Sequence, residues 1–104
     1  MRAERTETMS LKKLPELHHF TCRGDNYSSQ AIIGENGGAD SWTVNVKIWR
    51  EPHEKTWNYR YATGELYAPK AGKVYDSADI LSSGHERVGA AYKALKADLE
   101  ERYA

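Results

Sequence analysis

Between Trp42 and Tyr61 the sequence alternates apolar and polar residues almost one for one, and few folds accommodate that pattern. Trp42, Val44, Val46 and Ile48 fall on one side of an extended chain, and Thr43, Asn45, Lys47 and Trp49 fall on the other. Period two is the period of a half-buried strand, and β-branched and aromatic residues suit its pleated surface. The polar stretch from Arg50 to Lys55, which contains Pro52, interrupts the pattern. A second alternating run follows, with Trp57, Tyr59 and Tyr61 on one side and Thr56, Asn58 and Arg60 on the other. Two such runs joined by a short polar link predict an antiparallel hairpin.

The C-terminal end supplies a partner for the hairpin's apolar face. Val88, Ala91, Tyr92, Leu95, Leu99 and Tyr103 recur at spacings of three and four, the stripe of an amphipathic helix. Ser83-Gly84-His85-Glu86 has the form of a capping box, which predicts a helix of about 20 residues beginning there. Asp98 and Arg102 form an i, i+4 pair expected on its solvated side. Gly89 weakens the helix by about 1 kcal/mol relative to Ala, unless Gly89, Ala90 and Ala91 bring it close to the sheet. A helix laid on one sheet face is the expected two-layer solution. The fold class is therefore α+β: an antiparallel meander of roughly three to five strands packed against one long C-terminal helix.

The flanking segments are less patterned. Residues 1–9 are charged and aperiodic and read as a flexible tail, leaving residues 10–104 as a single domain. Leu11, Leu14 and Leu17 permit a short N-terminal helix, limited by Pro15. His18 to Arg23 reads as a strand with His18, Phe20 and Cys22 on one face, and Ser28 to Ile33 as a second. Gly34 to Asp40 reads as a loop, with Asn36-Gly37 suited to a tight hairpin turn. Thr63-Gly64 predicts a turn into a strand over Glu65 to Ala68. Asp76, Ser77 and Asp79 suit the cap of a helical turn near Ile80 and Leu81.

Charge and cysteine content narrow the function classes. Fifteen basic residues balance fifteen acidic ones, for a formal charge of +0. Bulk attraction to nucleic acid or anionic membrane is thereby removed, though a local patch is not. Low self-repulsion also favours self-association. The single cysteine, Cys22, allows no internal disulfide, as in the reducing cytoplasm where the chain is expected. No apolar run approaches the roughly 18 residues of a membrane span, and residues 1–9 lack the apolar core of a secretory signal.

No motif in the sequence specifies catalysis. His18, His19 and Cys22 have metal-ligand chemistry, but adjacent strand residues point to opposite faces, and His53 and His85 could join only through tertiary folding. Gly34, Gly37 and Gly38 lack the Lys-Ser/Thr and following helix of a phosphate loop. No cofactor or metal is expected, and enzymatic activity is not favoured. If Val44, Val46 and Ile48 face the helix, Lys47, Trp49, Asn58 and Arg60 share the opposite face. Such a face suits protein contact, and its basic and aromatic character also suits single-stranded nucleic acid. A third site would lie between helix and sheet, lined by Trp42, Trp57, Tyr59 and Tyr92, and would take a small molecule.

The run Arg87 to Leu95 is similar to the last helix of double-stranded-RNA-binding domains, with its Ala-Ala-x-x-Ala-Leu spacing. Gly84 and His85 stand where that family places lysines, and the spacing is common to helices packed tightly on sheets, so the family is not assigned. The reading that remains is a small accessory protein that binds a protein partner or a second copy of itself as a homodimer, with nucleic acid as the alternative.

Overall fold

A computed structural model describes residues 9–35, 41–63 and 78–103. Among these residues six strands precede one α-helix: β1 (Met9–Lys13), β2 (Thr21–Arg23), β3 (Asn26–Glu35), β4 (Ser41–Trp49), β5 (Trp57–Ala62), β6 (Asp79–His85) and α1 (Val88–Arg102). All strand pairings are antiparallel, in the order β1-β3-β4-β5-β6, and the sheet curls as a half-barrel. β2 pairs with the first residues of β3 and β1 with its last, so β1 and β2 share one edge of the sheet.

The register explains the core. Ala31 and Ile33 of β3 stand beside Val44 and Trp42 of β4, while Val46 and Ile48 stand beside Tyr61 and Tyr59 of β5. Ala31, Ile33, Val44, Ile48, Ala91, Leu95 and Leu99 are fully buried. Each Ile, Val or Leu side chain buried in this way contributes about 1.5–3 kcal/mol. The stripe read from the sequence is the face α1 turns to the sheet, with Tyr103 completing it and Val88 and Tyr92 partly buried. Backbone bonds tie the end of α1 to the far edge: Leu11 N–H donates to the Tyr103 carbonyl at 2.9 Å. The Tyr92 hydroxyl donates to the Pro15 carbonyl at 2.8 Å and packs edge-on against Phe20.

Several local expectations are corrected. The short N-terminal helix is absent: Met9–Lys13 is a strand, and only a 3-10 turn forms, at Leu17–His19. Pro15 has no N–H to give a helix, whereas β3 offers an edge that β1 fills. That turn also shortens the strand expected from His18 to Thr21–Arg23. Met9, grouped with the tail by its sequence, is the first residue of β1 and fully buried. Gly34 and Glu35 extend β3 rather than opening a loop.

Around Ile80 and Leu81 the chain is β6, not a helical turn, with Ile80 opposite Tyr61. The capping box does not form, because Ser83, Gly84 and His85 belong to β6. α1 begins at Val88 and has 15 residues, and Arg87 at its N-cap makes no side-chain capping bond. Ser82 and His85 pair with Tyr59 and Trp57 of β5, so the local helix signal loses to the sheet. The turns expected at Asn36-Gly37 and Thr63-Gly64 and the strand over Glu65–Ala68 lie outside or run beyond the described residues.

Candidate functional site

Three cross-strand rows of the sheet face away from α1 carry its candidate residues. Register aligns Thr21, Ser28, Lys47, Arg60 and Leu81 across five strands. One row along, Arg23, Asn26, Trp49 and Asn58 align; on the other side, Gln30, Asn45, Ala62 and Asp79. Lys47, Trp49, Asn58 and Arg60 therefore share one face, as the alternation requires, but their environments differ.

Lys47 is exposed and holds its ammonium 5.0 Å from the centroid of the half-buried Trp49 ring. Arg60 makes a two-pronged ion pair with Asp79, Nε and Nη2 each donating at 2.8 Å. The Arg60 guanidinium holds the Asp79 carboxyl below the ordinary carboxylate range. Asn58 is only 5% exposed, and its amide is occupied. It donates to the Trp49 carbonyl at 3.2 Å and to Glu54 Oε1 at 3.0 Å, and Glu54 Oε1 also accepts the Glu51 N–H. These bonds, first from the Glu51 backbone and then from Asn58, keep Glu54 below the usual carboxylate range. Asn58 thus folds the β4–β5 turn rather than facing a ligand.

Between these rows lies a depression of about 700 Å³ lined by Thr21, Ser28, Gln30, Asn45, Lys47 and Arg60. Within its lining the Gln30 side-chain N–H donates to Asn45 Oδ1 at 3.1 Å. A smaller hollow of about 300 Å³ lies alongside, lined by Trp49 and the Arg50–Asp25 ion pair. Hydroxyls, amides and cations without an aligned nucleophile and base suit binding by hydrogen bonds and charge.

The helix face has a different character. Trp42, Trp57, Tyr59 and Tyr92 do not converge. Trp42 stands opposite Ile33, while Tyr59 stands opposite Ile48. Six residues of β4 separate those rows, about 20 Å at strand rise. Trp57 and Tyr59 are 7% and 5% exposed, and Trp57 packs edge-on against Tyr27.

What does converge is a polar chain that the sequence reading missed. Asp98 points to the sheet rather than to solvent, accepting the Tyr59 hydroxyl at 2.8 Å and the Tyr61 hydroxyl at 2.9 Å. Burial, and then this carboxylate, push Tyr59 up to about 12 and raise Tyr61 as well. Beside them His85 stacks on Tyr59 at 5.2 Å and meets Ser82 Oγ through Nε2 at 2.9 Å. Ser82 and His85 are three apart and would face opposite ways in a regular strand. Ser83 and Gly84 together oppose Asn58 alone, a bulge with Gly84 at φ 85°, and this turns both side chains to the helix face.

His18, His19 and Cys22 are exposed on the 3-10 turn and β2. Among the described residues, no three His, Cys, Asp or Glu side chains are grouped to hold a metal ion, and no helix is long and apolar enough to cross a membrane. Comparison with protein-family models, with curated proteins and with solved structures gives no match to this chain.

Proposed function

We propose that this protein is a non-catalytic binding module that contacts another protein, or a second copy of itself, through the sheet face away from α1. The observation that supports this is the row Ser28–Lys47–Arg60–Leu81. Leu81 is 62% exposed, the large hydrophobic residue most open to solvent among the described residues. It stands beside exposed cations and hydrogen-bonding groups, a mixture typical of protein interfaces. β6 is also the last of the described strands in the sheet order, and such an edge favours pairing with another chain.

Replacing Leu81 with a photoreactive benzoylphenylalanine tests this reading. Adducts with a second copy or another protein are expected from that position and not from the same residue at Lys96 on the exposed side of α1. Equal yields from both positions would contradict it.

A second reading, single-stranded nucleic acid, is favoured by the shared face of Lys47 and Arg60, two cations that could meet phosphates. It predicts oligonucleotide binding that weakens steeply with salt.

A further inference from the structure

Taking that face as a protein-contact surface, we infer that its partner is a short, extended, acidic peptide segment seated in the depression between β2 and β5. The charge distribution leads to this. The chain is neutral as a whole, yet the register puts Lys13, Arg23, Lys47 and Arg60 on the face away from α1. Asp79 is the one carboxylate that the described strands add there, and it is already engaged by Arg60; in the adjoining hollow Asp25 is engaged by Arg50, and Glu51 is the one other carboxylate in its lining. Arg60 uses two of its five N–H donors on Asp79 and keeps the others. Lys47 has no carboxylate within ion-pair distance among the described residues.

The depression fixes the form of the occupant. It runs across β2, β3, β4 and β5, three strand spacings or about 14 Å, which an extended chain of about four residues covers. Its neutral lining can serve a peptide backbone. Gln30 gives one amide proton to Asn45, leaving the Asn45 amide group and the Gln30 carbonyl available, and Thr21 and Ser28 add hydroxyls. Carboxylates of the segment meet Lys47 and the remaining Arg60 donors.

Two other occupants fit less well. A stacked base needs an open aromatic face, and the Lys47 ammonium lies over the Trp49 ring. A second copy would need an acidic surface, and the exposed side of α1 sets Lys93 and Lys96 against Glu100 and Glu101.

The test is fluorescence anisotropy on the full chain at about 150 mM salt, where surface charges beyond about 8 Å are screened. The probes are labelled hexaglutamate, labelled hexaglutamine and a labelled thymidylate hexamer. Hexaglutamate is expected to bind and hexaglutamine not to. Lys47→Gln should weaken hexaglutamate binding about tenfold, the loss of one charge-assisted hydrogen bond, and Arg23→Gln should weaken it less. Lys96→Gln, which removes the same charge from α1, should leave it unchanged. Thermal midpoints identical to the parent protein's establish that the variants are folded.

Absent hexaglutamate binding, equal losses in Lys47→Gln and Lys96→Gln, or tighter binding of the thymidylate hexamer would overturn the inference. The Leu81 cross-linking result is independent of these probes, so an interface with a non-acidic protein remains distinguishable from no interface at all.

Discussion

Asp98 joins helix to sheet by accepting two tyrosine hydroxyls at once. Removing it leaves both hydroxyls facing a cavity, each costing about 1–3 kcal/mol when buried and unsatisfied. Asp98→Ala should therefore destabilise the protein by about 3 kcal/mol in urea unfolding. A loss under 1 kcal/mol would show the contact to be incidental. Gly89 gives the opposite expectation. A Cβ built there meets nothing within 4 Å, so the glycine is not needed for close packing on the sheet. Gly89→Ala should stabilise the fold by about 0.5–1 kcal/mol, read as a higher urea midpoint with an unchanged slope. Asp98 was illegible in the sequence for a plain reason. A carboxylate flanking a helical stripe is assigned to solvent unless the hydroxyls beneath it are known, and nothing local says which strand lies under which helical turn.

At the scale of elements, β5 and α1 are held together by groups that titrate. Tyr59 is raised to about 12 in the folded chain, and Tyr61 moves the same way, against about 10 in an unfolded one. A group raised on folding gives stability that is complete below its unfolded value and is lost as pH climbs through its folded value. The thermal midpoint should therefore show no tyrosine-linked loss up to about pH 10 and then fall toward pH 12. In Tyr59→Phe that alkaline fall should be shallower, and an identical fall in both proteins would rule the pair out as its cause. The elements themselves differed in how plainly they could be read. β4 and β5 were legible because nine and six residues alternate cleanly. That alternation also places Lys47, Trp49 and Arg60 on a common face, as the strand register does. β6 was hidden by a capping-box pattern at Ser83 that long-range pairing overrode. β1 was hidden by leucines whose spacing suits a helix as well as an edge strand. Asn58 was assigned to the surface by parity alone, and its burial comes from the turn that Glu54 folds over it.

For the molecule as a whole, the helix and both halves of the sheet stabilise one another. α1 packs on β5, β4, β1 and β6, and its last turn is bonded to β1. A chain ended after Ala94 loses Leu95, Leu99 and Tyr103 from the core and uncovers Tyr59 and Tyr61. It should show no cooperative thermal transition by near-ultraviolet circular dichroism, and a retained sharp transition would mean the sheet stands alone. With α1 covering one face, the opposite face is the surface we propose for recognition. The most direct measurement is a photo-cross-linking scan in cells, with the reactive residue placed in turn at Ser28, Lys47 and Leu81 and at Lys93, Lys96 and Glu100. Adducts concentrated at the first three positions are the expected result, whereas adducts spread evenly, or confined to the three helix positions, would contradict it.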